Sequence, residues 1–216
     1  MPSKASVLVV GAGPVGLLAA LILARRGISV TVLDKHHDIV DSPRAIVYLP
    51  QTIGTLDAAG ILEEVKQAGL VMSDGPVFRN ASDHKALARF DPFVLLPEDK
   101  PVPKHRACIL LGQHLLANIV LRRLQQLSVP VHFDTTVQSV KQTPDHVEVN
   151  AVTGSEEKPF NAAYLLACDG ARSPIRKQLD IDFAGFTHDI IFMAVNFRYA
   201  NTVSYTHLTL PTKRIV

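Results

Sequence analysis

Ser6-Val-Leu-Val-Val-Gly-Ala-Gly-Pro-Val-Gly16, an apolar run through Arg26, and then Ile28-Ser-Val-Thr-Val-Leu-Asp34 decide how the chain is read. The order is strand, glycine turn, helix, strand and acid, which is the order a dinucleotide-binding βαβ unit requires. Gly11 permits a tight turn off the strand, Gly13 allows backbone to approach a pyrophosphate, and Gly16 lets the helix pack closely on the sheet. The N–H groups that open the helix then face the phosphates, at the favourable end of the helix dipole. Asp34, at the tip of the second strand, stands where a carboxylate accepts from the hydroxyls of a ribose. The competing reading is a glycine-rich turn that serves packing alone.

Working outward, Pro14 to Arg26 is apolar on nearly every side (Val15, Leu17, Leu18, Leu21, Ile22, Leu23), so this helix is expected between a sheet and a second layer. Arg25 and Arg26 suit the C-terminal end of its dipole, and Gly27 ends it. The same run could pass for a signal peptide or an anchor. Gly11, Gly13, Pro14 and Gly16 interrupt it, and it leads straight into another strand, so no membrane span and no targeting segment is expected. With 216 residues, 47% of them hydrophobic, the chain can bury one sizeable core. Its formal net charge of +2 gives no basic surface for nucleic acid or acidic lipid. The two cysteines, Cys108 and Cys168, lack CxxC spacing, which favours a reducing compartment and a cytoplasmic setting.

Beyond Asp34, Lys35-His36-His37-Asp38 reads as a solvated loop rather than a metal site, because adjacent histidines share no face and no further ligand set follows. Arg44, in Ser42-Pro-Arg-Ala45, is either a surface arginine or a cation set against a phosphate or carboxylate. Two short helices, Gln51 to Ala59 and Ile61 to Ala68, are broken at Gly60 and closed by Gly69. Val77-Phe78 and Leu87 to Phe90 flank the turn cluster Asn80-Ala-Ser-Asp83, a hairpin signature, and Pro92, Pro97, Pro101 and Pro103 mark the return as a loop. This stretch reads as an excursion from the nucleotide sheet. Gln113 to Leu127 is a clean amphipathic helix, with Gln113 in its first turn as either a helix-start residue or a ligand contact.

Pro130 to Phe133, Thr135 to Val140 and His146 to Val152 read as strands of a meander. Phe160 to Ala167, nearly free of charge, reads as a central strand. It delivers Cys168-Asp-Gly-Ala-Arg-Ser-Pro174 at its carboxyl end, ahead of a short helix with Ser173 as N-cap and Pro174 at the first position. Open α/β sheets bind ligands at such a place. Asp169 there suits a polyol or ribose better than catalysis, and Cys168 reads as a small packing residue. Ile190 to Tyr199 alternates as a strand. Thr202 to Thr212 resembles translated transposon-adapter DNA, so 202–216 is read as a foreign tail; the alternative is an ordinary β-prone segment. On the adapter reading the authentic protein continues past Asn201 and its remainder is missing.

Four motifs in order, Gly11-Ala-Gly-Pro-Val-Gly16, Ser42-Pro-Arg-Ala45, Gln113 at its helix start and Asp169-Gly-Ala-Arg-Ser173, together resemble the FAD-dependent aromatic-ring hydroxylases. These are the flavoprotein monooxygenases of the para-hydroxybenzoate hydroxylase and phenol hydroxylase type. The resemblance covers residues 5 to about 201 and implies an α/β, Rossmann-like FAD-binding domain, truncated, in which 70–104 and 183–201 belong to an inserted substrate-covering sheet. By the same resemblance Gly11, Ala12, Gly13, Pro14, Val15 and Gly16 would hold the FAD pyrophosphate. Asp34, with Lys35 beside it, would meet the adenosine ribose; Arg44 and Gln113 would touch the cofactor, Val137 would lie near adenine, and Asp169 would reach the flavin.

The implied chemistry is reduction of FAD by NAD(P)H as co-substrate, then transfer of one atom of O2 to a small, electron-rich aromatic substrate. An epoxidase, halogenase or dehydrogenase of the same fold, and a non-catalytic fragment, are the alternatives. Asp34 replaces the family's commoner glutamate, and Ala167-Cys168 stands where glycine and alanine are usual. The family's later Gly-Asp segment is not present, and no residue here takes a catalytic label.

Overall fold

The computed structural model describes residues 5–42, 44–72, 77–80, 82–89 and 107–191. The opening unit forms as its sequence dictates: β1 (Ala5–Val10), α1 (Pro14–Arg25) and β2 (Val30–Leu33), with β1 and β2 parallel and Val7 beside Val30, Val9 beside Val32. A short β3 (Val47–Tyr48) leads into α2 (Pro50–Ala58) and α3 (Leu62–Ala68). β4 (Leu70–Met72) follows, then the hairpin β5 (Val77–Arg79) and β6 (Ala86–Arg89), and then β7 (Cys108–Leu110). The second half holds α4 (Gln113–Gln126), β8 (Val131–His132), β9 (Thr135–Gln142), β10 (Val147–Thr153), β11 (Glu156–Ala167) and α5 (Pro174–Gln178).

The main sheet has the order β8-β2-β1-β11-β10-β9. β11 joins two regimes. Residues 162–167 run parallel to β1, with Tyr164 beside Val7 and Leu166 beside Val9, while residues 156–162 run antiparallel to β10. It lies inside the sheet order, as expected for Phe160 to Ala167, but the strand begins earlier, at Glu156, and residues 163–167 pair with β1 alone among the described residues. The short sheet β3-β7-β4 stands apart, and the β5-β6 hairpin forms a sheet of its own, away from the nucleotide strands. Sequence reading assigns no strand to Leu70–Met72 or Cys108–Leu110, which are too short for a period to show.

One expectation is corrected. Val131–His132 does not belong to the meander; it pairs parallel to β2 on the opposite edge, Val32 beside Val131. The cause is α4, which carries the chain back across the sheet as a crossover and so delivers β8 parallel to its neighbour. The chain then turns at Asp134, whose φ of 51° is in the left-handed region, and Thr135 donates to the Asp34 carbonyl at 2.8 Å. Only β9, β10 and β11 form the meander.

β1 and β2 are covered on both faces. Val7, Val9, Val30 and Val32 pack with Leu17, Ala20 and Leu21 of α1 and with Leu116, Val120 and Leu124 of α4 in the larger core. Leu8 and Leu33 form a second cluster with Val149 and Ala151 of the meander, backed by Val137 and Phe160. Glu64 of α3 ties the helices together, accepting from both Arg122 and Arg123 of α4. The expected strand at Ile190 to Tyr199, the loop through Pro103 and the tail 202–216 lie outside the described residues, except for Ile190 and Ile191.

Candidate functional site

The carboxyl ends of β1, β2 and β11 and the starts of α1 and α4 enclose one cleft of about 290 Å3. Its walls include Gly11, Ala12, Gly13 and Pro14, then Asp34 and Lys35, then Arg44, Gln113, Val137 and Asp169. Ten of the twelve residues expected at the cofactor therefore meet in one place. Val15 and Gly16 do not line the cleft. Val15 is exposed on the first turn of α1, and Gly16 is buried beneath the turn.

Local sequence explains this geometry. Gly11 has φ of 110°, a conformation that side chains avoid, and a Cβ there would lie 2.2 Å from the Cys168 carbonyl oxygen. A Cβ on Gly16 would lie 1.9 Å from the Gly11 carbonyl oxygen, so its absence sets how closely helix and turn approach. Gly13 differs: its φ of −71° is ordinary, and a Cβ there would meet nothing within 4 Å. Its missing side chain leaves open space beside the backbone. The N–H groups of Gly13, Val15 and Gly16 have no acceptor among the described residues, since the first helical bond is Leu17 N–H to the Gly13 carbonyl.

A second helix end faces the same cleft. α4 starts at Gly112 without a side-chain cap, as α1 does at Gly13, and neither first turn carries an acid. Two uncapped N-termini place partial positive charge on one cavity. Arg44 adds a full charge, its Nε donating to Ser42 Oγ at 3.1 Å, with no carboxylate partner among the described residues. Gln113 and His114 open α4 at the rim, and His114 Nδ1 lies 3.3 Å from Asp41 Oδ1, linking the 35–42 loop to the helix.

Asp34 is held from both sides. Its Oδ2 accepts from Ala12 N–H at 2.5 Å, and its Oδ1 accepts from His36 N–H at 2.8 Å and lies 2.7 Å from His36 Nδ1. The carboxylate therefore joins the tip of β2 to the glycine turn. His37, fully exposed, pairs with Asp134 at 2.7 Å, and the hydrogen bond and charge of Asp134 hold its pKa above the usual 6.5. The two histidines thus each take an aspartate, and no group of three or more metal-ligating side chains is found among the described residues.

Asp169 lies on the far wall, where its Oδ2 accepts from Ile175 N–H at 3.2 Å in the first turn of α5. Ser173 caps the same helix, Oγ accepting from Arg176 N–H at 2.9 Å. Cys168 also lines the cleft; burial, and then the Asp169 charge, push its thiol pKa up, so it is a poor nucleophile. Sequence reasoning missed His36 and His114 as wall residues, as well as Thr135 and Thr136, which β9 brings beside Asp34. Neither threonine carries a sequence signal, because only the meander's position over the sheet brings them there.

The profile of the family described as FAD binding domain matches residues 4–210. Para-nitrophenol 4-monooxygenase of Pseudomonas sp. (strain WBC-3) is 32% identical over 200 residues, covering 92% of this chain and 48% of that protein. The crystal structure of p-nitrophenol 4-monooxygenase PnpA from Pseudomonas putida DLL-E4 superposes with a TM-score of 0.75 at 30% identity, covering 87% of this chain and 46% of that one. The flavin-dependent monooxygenase PieE, solved in complex with FAD and substrate, gives a TM-score of 0.73 at 27% identity over 86% of this chain and 33% of its own. The chain thus spans half or less of the length of these relatives.

Proposed function

Because this chain belongs to the FAD binding domain family, we propose that it is the FAD-binding part of an NAD(P)H-dependent flavoprotein monooxygenase that hydroxylates a phenol-like aromatic substrate. One observation carries the reading. An uncapped helix N-terminus, the open space at Gly13 and the Asp34 carboxylate share a single cleft. That donor set fits a diphosphate joined to a ribose, and the activities for which the relatives are named supply the reaction class.

On this reading the free N–H groups of Gly13, Val15 and Gly16 donate to the diphosphate, and Val15 and Gly16 act through backbone alone. Asp34 accepts from the adenosine ribose hydroxyls, beside Lys35, while Val137 walls the adenine. Arg44 and Gln113 contact the cofactor from the rim, and Asp169 serves toward its flavin end. When bound and reduced by NAD(P)H, FAD supplies the activation of O2 and the delivery of one oxygen atom to the ring. The chain's own contribution is to bind and orient that cofactor and to shield its adenosine end from water. The stretches 70–104 and 183–201 are, on this proposal, the part of the chain that belongs to the substrate-covering sheet. Two free cysteines fit a reducing, cytoplasmic setting; separately, no helix among the described residues is long and apolar enough to cross a membrane.

A second reading has support from the relatives' lengths: the 216 residues bind FAD without turning over. Both readings predict flavin bound to the purified chain, seen as its yellow absorbance and as quenched fluorescence on titration with FAD. Oxidation of NAD(P)H stimulated by a phenol selects the first, and bound flavin without oxidation selects the second. A folded, colourless chain that takes up no FAD overturns both.

A further inference from the structure

A second cavity, of about 1,020 Å3, lies at the other end of the molecule, between the start of β2, the turn into β8 and the meander. Among its walls are His132, Lys158 and Phe160, and no aspartate or glutamate among the described residues lines it. Phe160 brings the two basic groups to one place: the His132 ring centroid is 5.8 Å from the Phe160 centroid, and Lys158 Nζ is 5.7 Å from it. Lys158 has no carboxylate within ion-pair distance among the described residues, and neither nitrogen of the half-buried His132 has a hydrogen-bond partner there. The third basic side chain, His146, is already engaged, by Thr143 and by Glu148 at 3.2 Å. Glu148 also meets Lys141, at 3.6 Å.

We infer that this cavity is a binding site for a small organic monocarboxylate, whose charge sits between His132 and Lys158 and whose apolar body lies against Phe160, Leu8, Ile28 and Pro159. The half-buried imidazole has no partner among the described residues, the exposed Lys158 ammonium stands beside the same phenyl ring, and one carboxylate accepts from both. The apolar walls then select against a bare inorganic anion, which cannot use them. Burial, together with the Lys158 charge, holds the His132 pKa below 6.5, so the imidazole enters as a neutral donor that an arriving anion drives toward protonation. The inference does not depend on the flavin reading, because the two cavities share no residue.

The test is a titration of the 216-residue chain with hexanoate, following the His132 Cε1–Hε1 NMR signal, assigned with H132N. A saturable shift is expected, with a rise in the His132 pKa on saturation. In Lys158→Gln the affinity should fall about tenfold, the loss of one charge-assisted hydrogen bond, while the chain's FAD titration is unchanged. Acetate and inorganic phosphate at matched ionic strength should leave the signal in place. A His132 signal that does not move with hexanoate overturns the inference. So does one that moves equally in Lys158→Gln, or equally with phosphate. A change in FAD binding in the variant instead reports a general disturbance of the fold, and overturns it as well.

Discussion

Gly13 and Gly16 lie three residues apart on one turn and should fail in different ways. Gly13→Val places a side chain in open space at an ordinary backbone angle, so the chain should fold with unchanged thermal midpoint. The same side chain takes the room a diphosphate needs, and FAD affinity should fall at least tenfold, on the order of 1.4 kcal/mol or more. Gly16→Ala drives a methyl into the Gly11 carbonyl, so it should cost about 1–3 kcal/mol of stability, as overpacking does. Paired fluorescence and urea titrations separate the two, and equal losses of stability in both would refute the division of labour. Asp34→Ala removes an acceptor that holds Ala12 and His36. Flavin affinity should drop about tenfold to a hundredfold, the cost of a charged hydrogen-bonding partner, and Asp34→Glu should recover part of it, since only reach differs.

Among the elements, the 34–42 loop is fastened by aspartate–histidine pairs: Asp34 with His36, His37 with Asp134, and Asp41 with His114. For His37 the direction is resolved. Its pKa in the folded chain lies above 6.5 because Asp134 favours the protonated ring. Its contribution to the loop is therefore complete below pH 6.5 and is lost as pH rises through the raised value. Asp134→Asn should return the His37 NMR titration toward 6.5; a midpoint left in place would show that the pair does not form in solution. α5 offers a simpler check, since Ser173→Ala removes its cap and should cost about 1 kcal/mol in chemical denaturation. This helix was legible in the sequence because Ser-Pro marks both its cap and its first position. The βαβ unit was legible for a similar reason, each glycine having one steric task. The loop's fastenings were not legible, because Asp134 and His114 reach it only through the return of α4 and the turn before β9. The place of β8 was lost likewise: two residues carry no period, and parallel pairing is decided by the crossover helix.

At the scale of the whole molecule, β11 has a side left open. Residues 163–167 pair with β1 on one flank and with no strand on the other among the described residues. Tyr164 is 70% exposed there, and Phe183, Phe186 and Ile191 further along the chain are also bare. An uncharged strand edge of this kind invites pairing with another chain. The 216-residue protein should therefore self-associate with rising concentration, and Tyr164→Lys should reduce that association, by sedimentation velocity at two or more loadings. A monomer at every loading would show the edge to be covered in solution. The same strand also acts as a gauge. Its antiparallel half is indexed to the meander that carries Val137, and its parallel half to β1, so its length fixes the span across the cleft from Val137 to Asp169. Deleting one residue between Glu156 and Ala167 would shorten that span by about 3.3 Å and reverse which side chains face each layer. The cleft could keep all its wall residues and still be the wrong size for its guest.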